Sequence, residues 1–473
     1  MDGRVGVAPL STSKFPMALA PTFAFAAVAL PIGAIQLAVT VHLPRYFAGH
    51  LGLSLAAVGG AFALVRLIDI PLDALLGVAM DKTRTRFGRY RVWLALSAPA
   101  LMLALYMLML SPADVGQPYL VSWLLVMYLA YSGVFLSHVA WAANLATSYQ
   151  QRSRIFGVIT AMGVIGAVGV LLIPVAIGQR GGTEAEGVQA MIWAIIAAIP
   201  LTILLAQVTT RERITRDDGE HFGVKDYLAL IARPNVLRLL AADLCVTLGP
   251  GWMAALYFFY FKDSRGFDTV GANLLLLIYI ATGLIGAPVT ALLANRIGKH
   301  RALIGSTLLY STVLVILPFL PPGQFLLFAP GMMIAGAAYS GFLVMTRALT
   351  GDIADEIRLE KGREWMGLMY ALTNATSKIA GACSIFLTFN VLEAVGYQAA
   401  DGAVNSPAAI RGLELAYIIG PIIFVTAAGA CFIGYRLNAE RHAEIRRQLD
   451  ARDLIVDSPP AGLAGEAPVV VKG

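Results

Sequence analysis

The feature that most constrains this chain is a series of long, unbroken apolar runs. A bilayer-spanning helix needs about twenty consecutive, mostly apolar residues. About twelve segments of that kind can be marked: 17–43, 54–80, 91–111, 117–146, 155–178, 187–209, 237–261, 269–294, 302–320, 323–350, 365–392 and 409–436. They are continuous, whereas strands of a transmembrane barrel alternate over about ten residues. Charged residues make up only 14% of the chain and hydrophobic ones 58%, against about a quarter charged in soluble domains. The expectation is an all-α polytopic membrane protein with the lipid bilayer as its first partner. The run that starts at Met17, after Arg4 and Lys14, continues to about Leu43. That is long for a signal-peptide core, so it reads as a retained first helix.

The net charge of +6 reads as a topology signal rather than a nucleic-acid footprint, because the bases lie in short loops. The loop after segment two holds Lys82, Arg84, Arg86, Arg89 and Arg91. Those after segments four, six, eight and ten hold Arg152 and Arg154; Arg211, Arg213 and Arg216; Arg296, Lys299 and Arg301; and Arg358, Lys361 and Arg363. The opposite loops SPADVGQP and PPGQ hold none. Both termini are therefore expected in the cytoplasm, with the chain in a plasma (bacterial inner) membrane. The expected organisation is a terminal segment 1–16, a six-helix bundle 17–210, a connecting loop 211–236, a second bundle 237–436, and a C-terminal helix and tail 437–473. Cys245, Cys383 and Cys431 fall inside apolar runs and show no metal-site or disulfide spacing. A monomer is expected.

An internal repeat supports two halves. Gly88-Arg89-Tyr90-Arg91 follows segment two, and Gly298-Lys299-His300-Arg301 follows segment eight. Two six-helix halves related by an axis along the membrane normal form a transporter architecture, with the site near the midplane between them. Gly77-x-x-x-Asp81-Lys82 with its trailing bases resembles the loop after helix two of the major facilitator superfamily. That resemblance implies twelve transmembrane helices in two pseudo-symmetric six-helix bundles.

Segment two also carries charge into hydrocarbon. A charge at the bilayer centre costs at least about 2.5–3.5 kcal/mol, so such residues normally face protein or a watery cavity. Arg66, Asp69 and Asp73 are spaced i, i+3 and i+7, which places them on one helix face. One guanidinium leaves a second carboxylate to be protonated, to bind a cation, or to pair elsewhere. Lys378, in TNATSKIAG of segment eleven, is a lone cation within an apolar run, and Asn374 shares its face. A structural ion pair between Arg66 and Asp69 is the bland alternative.

Together these stretches resemble the glycoside–pentoside–hexuronide:cation symporters. Arg66-x-x-Asp69-x-x-x-Asp73 followed by DKTRTRFGRYR, YQQRSRIFG at 149–157, DIADEIRLEKGREWMGLMYA at 352–371, and Lys378 carry the likeness. It implies that Asp69 and Asp73 bind the coupling cation and help bind substrate, and that Lys378 answers their charge. It also implies that Arg154 and Trp141 serve the substrate site, Trp141 as a stacking platform for a sugar ring. Sugar-transporting relatives place acids on helices one and four. Here those regions offer Gly33, Gln36 and His42, and Ser137 and His138. Replacement contacts from Asp243, Trp252, Tyr257 and Tyr260 are one reading, and packing aromatics the other. An amphipathic substrate such as a lysolipid stays open beside a glycoside.

Ile70, Pro71 and Leu72 separate the two acids and offer no side-chain oxygen. A hard metal cation wants several oxygens, so a proton fits better than Na⁺, unless Ser132 or Ser137 supplies one. No other cofactor is expected. Asp81 and Arg89 on one side, and Asp352, Asp355, Glu356, Glu360 and Arg363 on the other, are expected to take part in closing the cytoplasmic end. Two other classes compete: an intramembrane Mg²⁺-dependent prenyltransferase reading DIPLD and DIADE as diphosphate motifs, and a non-transporting sensor on a carrier fold.

Overall fold

The computed structural model describes residues 19–109, 111, 116–145, 149–212, 224–362, 365–400 and 402–457. Twelve helices among them are long and apolar enough to cross a membrane. They are α1 (Leu19–His50), α2 (Leu55–Lys82), α3 (Tyr90–Met109), α4 (Gln117–Leu145), α5 (Tyr149–Gln179), α6 (Glu184–Thr209), α7 (Pro234–Ser264), α8 (Thr269–Ile297), α9 (Lys299–Phe319), α10 (Phe325–Lys361), α11 (Met366–Ala394) and α12 (Pro407–Ala430). A short helix Val224–Ile231 stands in the connection between the halves, and α13 (Ala439–Asp457) follows α12. Part of the tail, 458–473, lies outside the described residues.

Two boundaries differ most from expectation. α1 runs past Leu43 to His50, because two wide turns, Ala38–His42 and Tyr46–His50, carry the backbone bonding beyond Pro44. α10 continues to Lys361, where Gly362 ends it in the left-handed region. The acids Asp352, Asp355, Glu356 and Glu360 thus sit on a protruding helix, not on a loop.

The two halves repeat each other at both ends. At the end marked by the basic loops, Gly88 and Gly298 both have positive φ (103° and 92°) just before α3 and α9. At the opposite end, α1 and α7 close alike. The amides of Leu51 and Leu53 bond the carbonyls of Tyr46 and Phe47, and those of Arg265 and Phe267 bond Tyr260 and Phe261. Gly52 (φ 68°) and Gly266 (φ 65°) then turn the chain, a conformation glycine adopts without Cβ strain. Ser54 and Asp268 cap α2 and α8 through their side chains. Tyr-Phe-x-x-x-x-Gly-x-Ser/Asp is therefore a second repeat, and it was readable in the sequence.

Small residues allow the closest crossings, as expected where lipid tails give no drive for helix association. A Cβ on Gly33 would stand 2.0 Å from the Gly163 carbonyl oxygen, and one on Gly336 1.9 Å from that of Tyr279. These positions join α1 to α5 and α8 to α10. Gly33 is thus a packing contact. Between the halves, α2 packs on α11, α5 on α8, and the far end of α1 on α7.

Candidate functional site

Arg66, Asp69 and Asp73 share the face of α2 that meets α11, with Pro71 inside the helix between the two acids. The Lys378 ammonium donates to Asp69 Oδ2 at 2.9 Å and also bonds Asp73 Oδ2. One lysine of the second half thus joins two carboxylates of the first. Arg66 holds Asp69 Oδ2 at 3.3 Å and lies 3.8 Å from the Tyr128 ring centroid. The Ser132 hydroxyl donates to Asp69 Oδ1 at 3.4 Å. The side chains of Asp69, Asp73 and Lys378 are 1%, 14% and 17% exposed. Asp73 Oδ1 is buried and has no partner, so one carboxylate oxygen is left to accept a proton or another donor. Two acids face two bases, and the cluster is neutral when all four are charged.

Gln36 is exposed beside this cluster. Its side-chain oxygen accepts from the Tyr131 hydroxyl at 3.2 Å, and with Thr40, Arg66 and Tyr128 it lines a narrow cleft. The other residues expected from α4 and α5 stand elsewhere. Trp141 is fully buried, edge-on to Phe25, with the Arg91 guanidinium 5.8 Å from its ring centroid. Ser137 donates to the Gly133 carbonyl of its own helix. His138 is buried, stacked on Phe25 and bonded to that residue's carbonyl at 3.0 Å. Trp141 and His138 thus pack α4 against α1, and Ser137 bonds within its own helix. Arg154 donates to Thr22 at 3.2 Å, tying α5 to α1. Ser132, not Ser137, is the hydroxyl that reaches the acids.

In the second half, Trp252 donates to the Ala416 carbonyl at 2.9 Å, Tyr257 to that of Ala272 at 2.9 Å, and Tyr260 stacks on Tyr417 at 3.9 Å. They are core aromatics. Asp243 of α7 behaves differently. Its Oδ2 accepts from Thr376 at 2.6 Å and Ser377 at 3.0 Å, the two residues that precede Lys378. Asn374 is exposed, one turn from Lys378. Arg347 of α10 was not singled out from the sequence. It is exposed, lies 5.6 Å from the Tyr370 ring centroid of α11, and acts on Asp243 through its charge.

The end away from the basic loops is bridged. Thr183 caps α6 with a reciprocal Glu186 bond, and so presents Glu184 in the first turn. Glu184 accepts from Arg45 of α1 at 3.2 Å and from Lys262 of α7. Arg45 also reaches Asp263 at 3.3 Å and stacks over Phe259, and Tyr397 donates to Asp263. Burial, and then the Asp263 charge, holds the Tyr397 phenol above its ordinary pKa. Glu393 of α11 accepts from the Ala56 amide at 2.7 Å. Five side chains from both halves therefore form one latch, and His42 lies buried beneath it against Phe258.

At the basic end the acids are held within their own half. Asp352 meets Lys299 at 2.5 Å and His442 of α13 at 3.3 Å. Asp355 meets His442 at 3.0 Å and Arg446 at 3.4 Å. Glu356 accepts from Asn235, and Glu360 from Arg233. In the first half Glu212 accepts from the amides of Arg89, Tyr90 and Arg91 and so caps α3. Arg363 lies outside the described residues, as does the side chain of Asp81.

Similarity to known proteins agrees with the twelve-helix fold. The chain is 24% identical over 446 residues to the uncharacterized symporter YnaJ of Bacillus subtilis, covering 89% of this chain and 92% of that one. It is 23% identical to the isoprimeverose transporter of Lactiplantibacillus pentosus, covering 85% of each, and 24% identical to the glucuronide carrier protein homolog of Escherichia coli, covering 87% and 91%. The solved nucleoside transporter NupG shares the fold, with a TM-score of 0.65 at 14% identity over 88% of this chain and 99% of that one. These relatives are carriers, which sets the prenyltransferase reading aside. A family model described as MFS/sugar transport protein matches residues 24–439, and the chain belongs to that family of multi-pass membrane transporters.

Proposed function

We propose that this protein is a proton-coupled symporter of a small sugar-type solute, working by alternating access, with Asp69 and Asp73 as its cation site. The observation that carries the proposal is the contact of Lys378 with both acids across the two halves. A bound cation and the ammonium compete for the same oxygens. Protonation of Asp73 removes one claim on Lys378, loosens the link between α2 and α11, and frees donors for a solute. Among the described residues only Ser132 adds a neutral side-chain oxygen at this point, which is few for a sodium site. The bases of the Lys82–Arg91 loop are then cytoplasmic, the Arg45 latch closes the outer face, and the cavity opens inward.

The test is solute uptake into proteoliposomes under an imposed pH gradient, without and with Na⁺. Asp69→Asn and Asp73→Asn are expected to abolish coupled uptake while the protein stays folded. Wild-type uptake by either variant refutes the coupling role, and uptake that follows Na⁺ rather than pH refutes the proton.

A further inference from the structure

His42 and His138 are both buried in the first half, and they differ. His138 bonds the Phe25 carbonyl at 3.0 Å and stacks on its ring. His42 is 3% exposed, and its Nε2 has no partner among the described residues. Neither the cation site nor the latch uses it. A buried polar atom without a partner is destabilising, so this ring is better served in another state of the molecule.

The place of His42 shows which state that is. It ends the wide turn Ala38–His42 of α1, which packs on α6 and on α7 of the other half. Single wide turns inside helices are frequent at functional sites. The ring leans on Phe258 of α7, with centroids 4.7 Å apart. Arg45 stands one turn further out, bonded to Glu184 of α6 at 3.2 Å and to Asp263 of α7 at 3.3 Å, with Lys262 also on Glu184. Glu184 and Arg45 act on the ring through charges of opposite sign, and Phe258 brings none. The seam between the halves thus closes directly over an imidazole.

An imidazolium donates from both nitrogens. In the closed end its Nε2–H finds no acceptor, and a charged donor buried in that way is costly. Parting α1 from α7 lets water reach the ring. The open form then binds the proton more tightly, and by linkage the proton favours the open form. Opening is promoted as the pH falls through the ordinary imidazole value of about 6.5, and the effect is absent well above it.

We propose that His42 is a gating proton acceptor: it takes a proton from the side of the latch and so holds that end open while the site between the halves loads. The proton returns to the same side when Nε2 is buried again. It is therefore distinct from the coupling proton of Asp69 and Asp73. This rests on the carrier reading above and adds to it a second proton that is not carried across.

The experiment is pulsed electron resonance on the full-length protein in nanodiscs at pH 8 and pH 5. Spin labels go at Arg180 and Val404, exposed at this end of the two halves. It is run in the wild type and in Asp73→Asn, where the cation site is altered. In both, the open-to-closed ratio is expected to rise about tenfold or more at pH 5, the ratio for one buried charged donor left unserved. His42→Gln and His42→Phe should each remove the rise; the second keeps an aromatic ring against Phe258 and serves if the first does not fold. His50→Gln, at an exposed ring of the same helix end, should keep it. No rise in the wild type, or a rise that survives a folded His42 variant, overturns the role of His42. A rise lost in Asp73→Asn assigns the response to the cation site, which also overturns it and leaves the carrier standing. Absence of pH-driven uptake of any solute counts against the carrier, and the label response still decides His42.

Discussion

Arg45→Gln tests the latch most directly. Arg45 is 8% exposed and sits between Glu184 at 3.2 Å and Asp263 at 3.3 Å. Removing one partner of a fully buried ion pair costs about 3–5 kcal/mol. Here the acids are 26% and 32% exposed, Lys262 keeps its hold on Glu184, and Tyr397 keeps its hold on Asp263. A discount for solvent and for these remaining bonds gives about 2 kcal/mol. If the contacts exist only when this end is closed, the closed-to-open ratio falls about thirty-fold. Spin labels at Arg180 and Val404, exposed positions at this end of the two halves, report the change as a longer-distance population in pulsed electron resonance. Arg45→Lys should fall between the two. An unchanged distance distribution in folded Arg45→Gln protein would show that the latch does not bias the conformation.

Gly33→Val sets a side chain where a Cβ alone would lie 2.0 Å from a backbone oxygen; it is expected to prevent stable assembly, read as loss of the monodisperse peak in detergent. The same label pair should show no change between pH 7 and 10, since the raised Tyr397 pKa keeps its hydrogen bond to Asp263 intact until the pH passes above the ordinary tyrosine value of 10.0; opening in that interval refutes the role of burial there. Glu212→Gln weakens the cap that serves three amides of α3 and should cost about 1–2 kcal/mol, read as a lower melting temperature with solute binding intact. His442→Ala takes a shared partner from Asp352 and Asp355, and should raise amide exchange along α13 without altering exchange in α2.

Much of this was legible in the sequence because charge in an apolar run has few places to go. The spacing of Arg66, Asp69 and Asp73 fixed a shared face, and the isolation of Lys378 pointed to them as its partner across 305 positions to Asp73. What the sequence left open was the choice of face on α4. That helix is apolar all round, so nothing in its pattern separates Ser132, which reaches Asp69, from Ser137 one turn away, which bonds its own backbone. Arg45 escaped notice because Pro44 made segment one seem to end, whereas wide turns carry α1 to His50. Arg347 stood close enough to the charged extension of α10 to be passed over with the loop bases. Its orientation depends on where α8 and α9 pack, which one chain's periodicity does not encode.

Pro71 gives the two acids some independence from each other. It has no amide hydrogen to return to the carbonyl of Leu67, so α2 lacks one rung of its ladder between Asp69 and Asp73. A lever is weakest at such a gap. A small bend there changes the bite of the two carboxylates on Lys378 while Ser132 and Arg66 keep Asp69 still. Local flexing of this one helix can then shift the Lys378 contact from one carboxylate toward the other.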